Sequence, residues 1–272
     1  MSLPAKIREA VEAIRQATDL RPKIALVLGS GLGSLAQEIK NPVVVDYHNI
    51  PHFPKSTVVG HAGRLVLGEL EGKLVAAMQG RFHYYEGYAM QEVTFPIYVL
   101  QALGCKTLVV TNACGGLNPA FKAGDLMLIR DHINILPNPL IGPNNEELGP
   151  RFPDMSNAYN KEYRGLAKEV ARELGITVQE GIYLAISGPT YSTPAELRML
   201  ITLGSDTVGM STIPEVIVAN YLGLKVLGIS CITDMALPDH LEPLTHEQVV
   251  KIANETRPKF ISLVRGWLKR VE

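Results

Sequence analysis

Between Gly80 and Gly87 the chain reads Gly80-Arg81-Phe82-His83-Tyr84-Tyr85-Glu86-Gly87. This run sets a fixed cation, an imidazole, two phenols and a carboxylate between two glycines. Arg81 carries five donors in a rigid fork that suits phosphate or carboxylate. His83 adds a donor near neutral pH or shuttles a proton. The tyrosines can stack on a ring or hydrogen-bond a hydroxyl. Taken alone, the stretch also fits a polar turn whose Arg and Glu only solvate it. Three other segments weigh against that reading: Ser30 inside Gly29–Gly33, the Asn112–Gly116 amides, and Ser211. A guanidinium fork, an imidazole, hydroxyls and main-chain amides all suit one tetrahedral oxyanion.

The elements that must position these groups alternate along the chain. A helix is expected from Pro4 to Ala17, with Ile7, Ala10, Val11 and Ile14 on one face. Ile24–Leu28 is an apolar strand running into the glycine turn and a short helix. Arg64–Leu70 and Leu74–Gln79 form a hairpin across Glu71 and Gly72. Gln91–Leu103 is a helix that Pro96 kinks or begins. Lys106–Thr111 is a buried strand, and Asn112–Gly116 is expected to be a turn with bare amides. Asp125–Ile135 is a strand, and Leu136–Asn160 is long and irregular, as functional or interface segments often are.

Farther on, Lys161–Leu174 is expected as a helix, Ile182–Ile186 as a strand, Pro194–Leu203 as a helix and Asp206–Gly209 as a short strand. Ser211 or Thr212 is positioned to cap a helix near Pro214, with Glu215 at capping-box distance from Thr212. Lys225–Thr233 is a strand ending at Asp234, and a loop leads to a last helix from His246 to Leu268. The pattern predicts one α/β domain over residues 1–272, with a mixed central β-sheet flanked by helices. Ligands in such sheets gather at the carboxyl ends of strands, where all four polar segments fall.

Several chemistries are disfavoured. The glycine turn offers an anion site, but a G-x-G-x-x-G pattern needs glycine at 34, where Ser34 stands. No phosphate-loop G-x-x-x-x-G-K-[ST] is present. Cys105, Cys114 and Cys231 are widely spaced, which argues against disulfides and zinc; a buried thiol fits Cys114 better than a nucleophile. Among 272 residues, 46% are hydrophobic and the net charge is -1, so a large core is available and nucleic acid or anionic membrane is a poor partner. No apolar run reaches membrane-spanning length and the N-terminus is no signal peptide, so a cytoplasmic protein is expected.

The motifs Gly29-Ser30-Gly31-Leu32-Gly33, Gly60-His61-Ala62-Gly63, Gly80–Gly87, Thr111–Gly116, Arg151-Phe152-Pro153 and Gly209–Val216 occur in one order over almost the whole chain. In this the chain resembles the trimeric, low-molecular-mass purine nucleoside phosphorylases, including bacterial members. The resemblance implies attack of inorganic phosphate, a co-substrate, on C1′ of a purine nucleoside, releasing base and ribose 1-phosphate. No cofactor or metal is implied. It assigns phosphate to Ser30, Arg81, His83, the Ala113 amide and Ser211, with His61 at the entrance. It assigns ribose to Tyr85, Met210 and His246, and the base to Tyr191, Ser192, Val208 and Asp234. Phe152 would reach a neighbouring subunit's sugar pocket in a homotrimer. Ser30, His83 and Asp234 stand nearest the chemistry. Each has a plainer reading: His61 and His246 as loop histidines, Tyr191 as a core ring, Ser211 as a cap.

Two positions depart from family members that act on inosine and guanosine: Ser192 stands where they carry Glu, and Asp234 where they carry Asn. A 6-oxopurine presents an acceptor at O6 and a donor at N1; a 6-aminopurine reverses both. An ionised Asp234 accepts from an amino group and repels O6. A protonated one can donate to N7. The substitutions predict a preference for adenosine. Methylthioadenosine phosphorylases resemble the chain at these two positions, while His246 resembles the version that holds an unmodified 5′-hydroxyl. A nucleoside hydrolase would not need the anion ligands, and a dinucleotide-binding module fails on the glycine spacing.

Overall fold

A computed structural model describes residues 1–58 and 60–272. Helix α1 (Leu3–Ala17) precedes strand β1 (Ile24–Leu28), whose five residues are all buried. Burial on both faces explains its unbroken apolar run: Ala25 and Val27 join one core, and Ile24, Leu26 and Leu28 the other. Strand β2 (Lys40–Asp46), which the sequence pattern did not indicate, pairs with β3 (Arg64–Leu70) at the sheet edge. Its residues are mostly exposed and Pro42 lies within it, so despite the strand-favouring Val43–Val45 it shows no alternation of apolar and polar residues. β3 and β4 (Lys73–Gln79) form the expected hairpin.

Helix α2 (Met90–Ala102) carries Pro96 in its interior rather than at its start. Strand β5 (Thr107–Gly116) corrects the expected turn at Asn112–Gly116: the strand continues through both glycines. It pairs in parallel with β9 (Lys225–Met235), slipping register between Cys114 and Gly115. Gly115 and Gly116 also pair antiparallel with β8 (Thr207–Gly209). A Cβ on Gly116 would sit 2.7 Å from Met235 Sδ, so a larger residue here would push the Met235 side chain aside. Asp234 accordingly lies inside β9, not beyond its end.

Strands β6 (Leu126–Asn134) and β7 (Val178–Ala185) complete a nine-stranded sheet ordered β2-β3-β4-β1-β5-β8-β7-β6-β9. Because β9 pairs with both β6 and β5, five of the strands close into a ring. The sheet is mixed, with helices against it, as expected. α1, α2 and α5 (Ile213–Tyr221) supply one core, while α3 (Lys161–Glu173) and α6 (His246–Leu268) supply the other. Trp267 anchors the second core, edge-on to Tyr163 at 5.0 Å and donating from Nε1 to its carbonyl. Residues 136–160 form turns without helix or strand. Helix α4 (Pro194–Thr202) covers the ring near β8, burying Leu197 and Leu200. Among the described residues, no helix is long and apolar enough to cross a membrane.

Candidate active site

One cavity of about 990 Å³ opens where β1, β4, β5, β8 and β9 end. Ser30, Arg81, His83, Tyr85, Ala113, Tyr191, Ser192, Val208, Met210, Ser211, Asp234 and His246, scattered over more than two hundred residues, all line it. The parallel pairing of β5 with β1 and β9 brings these strand ends to one side. His61 lies beside the cavity and reaches Ser30 Oγ through Nε2 at 3.2 Å. Phe152 stands outside it, 87% exposed.

At one end of the cavity the polar groups converge on Arg81, only 2% exposed. Its Nε donates to Glu215 Oε1 at 2.8 Å, and its Nη1 to the Thr111 carbonyl at 2.5 Å. Nη1 also lies 3.4 Å from Ser211 Oγ. Nη2 is buried and has no hydrogen-bond partner among the described residues. The pairing with Glu215 corrects the capping box expected at Thr212. Thr212 makes no side-chain cap, and Glu215 is spent on the guanidinium because an unpaired buried cation costs more than an uncapped helix end.

His83 is held from below by Glu86, whose Oε1 accepts from the His83 amide at 2.7 Å and contacts Nδ1 at 3.1 Å. Burial alone would raise the Glu86 carboxyl, but hydrogen bonds from His83 and Thr57 win and hold it at about 2. The fixed carboxylate turns Nδ1–H toward itself and leaves Nε2 for the cavity. Burial lowers the His83 pKa. The ring stacks on Tyr85 at 4.7 Å, and burial pushes that phenol up to about 12. Burial and the neighbouring His83 bring His61 down to about 4, so it is neutral at physiological pH.

The opposite wall is less polar. Val208, Ile186 and Leu197 line it, with Tyr191 half exposed at the rim and Asp234 as the half-buried acid. Thr233 Oγ1 donates to Asp234 Oδ1 at 2.9 Å, and burial raises the carboxyl's pKa. Gly115 makes room: a Cβ there would lie 3.1 Å from Asp234 Oδ2. The cavity therefore combines a corner of cationic, imidazole and hydroxyl groups with a less polar wall that carries a carboxyl. Sequence reading counted Asn112 only for the amides of its segment and missed its side chain, whose Nδ2 donates to Thr212 Oγ1 at 2.9 Å, and it gave Glu215 the wrong partner. No spacing signal links those residues, since the contact spans about a hundred positions.

Comparison with known proteins fixes the class. Residues 23–269 match the model of the phosphorylase superfamily. Purine nucleoside phosphorylase 1 of Bacillus subtilis (strain 168) is 55% identical over 98% of this chain and 99% of its own length. The purine nucleoside phosphorylase of Schistosoma mansoni, solved in complex with adenosine, superposes with a TM-score of 0.94 at 41% identity, covering 98% of each chain. The same enzyme solved with inosine gives a TM-score of 0.93 at 40% identity, covering 98% of this chain and 97% of that one. A chain that matches over nearly its full length, with a polar corner facing a less polar wall, belongs to the phosphorylase superfamily as a purine nucleoside phosphorylase, a pentosyltransferase.

Proposed function

We propose that this chain prefers 6-aminopurine nucleosides, adenosine above inosine, and that Asp234 decides it. Phosphate is held by Ser30, Arg81, His83, the Ala113 amide and Ser211, with His61 at the entrance. Ribose lies against Tyr85, Met210 and His246, and the base between Tyr191, Ser192, Val208 and Asp234. A phosphate oxygen attacks C1′, the C1′–N9 bond breaks, and its electron pair leaves with the purine. Preorganised charge carries most of the rate without a covalent enzyme intermediate. The support for these roles is that the residues surround one cavity with the polarity each task needs.

The single observation behind the base preference is the half-buried carboxyl of Asp234 in the cavity wall, with its raised pKa and its hydrogen bond from Thr233. An ionised carboxylate accepts from the 6-amino group and repels O6; a protonated one presents an O–H to N7 of the leaving base and its carbonyl oxygen to the 6-amino group. In either form, the oxygen that carries no proton would meet another acceptor at O6. Ser192 can donate to N1 of adenine, whereas the Glu found in inosine-cleaving relatives accepts from N1–H. A mismatched buried polar group costs about 1–3 kcal/mol, or roughly 5- to 150-fold in kcat/KM. Purine nucleoside phosphorylase of S. mansoni was solved with adenosine and with inosine, so a relative of this chain takes either base.

The test is kcat/KM for adenosine and inosine, with and without phosphate, for the natural chain and Asp234→Asn. The expected result is phosphate-dependent release favouring adenine, shifted toward hypoxanthine by the substitution. An unchanged ratio overturns the role of Asp234, and release without phosphate overturns the mechanism. Ser192 with Asp234 also fits a methylthioadenosine phosphorylase, which assay of 5′-methylthioadenosine decides. We further propose a homotrimer, supported by the 87% exposure of Phe152 in the irregular segment. Sedimentation equilibrium giving a monomer would exclude it.

A further inference from the structure

At the polar corner of the cavity Arg81, Asn112 and Ser211 share a frame with Thr212, which lies behind them. Thr212 adopts φ 74° and ψ -55°, a region that a β-branched residue rarely enters. The Ile213 amide donates to the Ser211 carbonyl at 2.8 Å, so Ser211–Ile213 form a γ-turn of the strained, positive-φ hand. Such strain persists only where surrounding contacts over-determine it. Here the contacts are specific. Asn112, in the middle of β5, donates from Nδ2 to Thr212 Oγ1 at 2.9 Å. The same hydroxyl lies 3.2 Å from Ser211 Oγ and 3.4 Å from Arg81 Nη1. Thr212, Asn112 and Arg81 are all at least 98% buried.

We infer that Asn112 is a positioning residue for phosphate: its amide locks the strained Thr212 turn, and the turn aims Ser211 Oγ and Arg81 at the anion. Three features support this over a merely structural bond. The turn's other side chain, Ser211, faces the cavity. Arg81, the neighbour of the Thr212 hydroxyl, lines the cavity and keeps Nη2 without a partner among the described residues. The helix that follows gains no cap from Thr212, so the hydroxyl is left to Asn112, Ser211 and Arg81. Without Asn112 the turn is free to relax toward an ordinary cap geometry, swinging Ser211 and withdrawing one contact from the guanidinium.

The inference rests on the assignment of phosphate to this corner, and the experiment separates the two. Steady-state kinetics are measured with phosphate varied at saturating nucleoside, and the reverse, for Asn112→Ala, Thr212→Val and the pair combined. Thr212→Val keeps the β-branched shape and removes only the hydroxyl. Each single variant should raise the KM for phosphate about tenfold, with the nucleoside KM within about twofold. Combined, they should be no worse than either alone, because both cut one strap. Thr212→Ser, which restores the hydroxyl, should bring the phosphate KM back to within about threefold. A folded variant with unchanged phosphate KM, or additive effects in the pair, overturns the strap. If one single variant fails to fold, the other decides. Turnover of the natural chain that ignores phosphate would overturn the phosphate assignment instead.

Discussion

The Arg81–Glu215 pair gives the sharpest quantitative expectation. Its side chains are 2% and 4% exposed, with Nε and Oε1 2.8 Å apart. Replacing Glu215 by Leu leaves a guanidinium deep in the protein, facing only neutral acceptors. Removing one partner of a buried pair typically costs about 3–5 kcal/mol. For a chain of 272 residues the unfolding entropy near the midpoint is about 0.6 kcal/mol per degree, so the same loss lowers Tm by about 5–9 °C. Arg81→Met should destabilise comparably, since it strands the carboxylate. The double variant Arg81→Met with Glu215→Leu should recover most of the loss, because no charge is then buried unpaired. Guanidinium denaturation of the three variants, analysed as a double-mutant cycle, reads each term. A loss under about 1 kcal/mol in Glu215→Leu, or a double variant that loses the sum of the singles, would refute the reasoning. The recovered double variant should still lack phosphate-dependent turnover, which separates the pair's part in folding from Arg81's part in binding.

Two further outcomes follow from the same corner. Gly29→Ala would set a Cβ 2.8 Å from the Thr111 carbonyl oxygen and 2.9 Å from Asn112 Cα, both backbone; β1 and β5 must separate, costing about 1–3 kcal/mol in equilibrium unfolding, and a change within 0.5 kcal/mol contradicts that account. His61 is held by burial at about 4, against about 6.5 when unfolded. The unfolded chain therefore binds the proton first, and stability falls as pH drops from about 6.5 toward about 4. Relative to His61→Gln, the natural chain should lose ground across that window; a constant gap from pH 7.5 to 4.5 would sink the assignment.

Much of the site was legible before any coordinates. Residue type alone marked Arg81, His83, Ser30 and Ser211, because guanidinium, imidazole and hydroxyl groups beside glycines have few other uses at strand ends. The continuous apolar runs of β1 and β4 likewise announced buried strands, since both their faces must be covered. The substitution of Asp for Asn at 234 was visible as chemistry, and the structure adds the burial that raises its pKa.

What the sequence could not determine depends on contacts across long separations. Strand β2 owes its existence to pairing with β3, not to its own largely exposed residues. The Asn112–Gly116 segment looks like a turn locally, yet pairing with β8 and β9 draws it into the sheet, because satisfying backbone groups outweighs glycine's reluctance. Ser-Thr-Ile-Pro-Glu reads as a helix cap until Arg81, 134 residues from Glu215, claims the carboxylate. Local sequence determined which groups were available to bind an anion. Only the tertiary structure decided which partner each buried charge took, because that choice is made where water is excluded and an unpaired charge is too costly to keep.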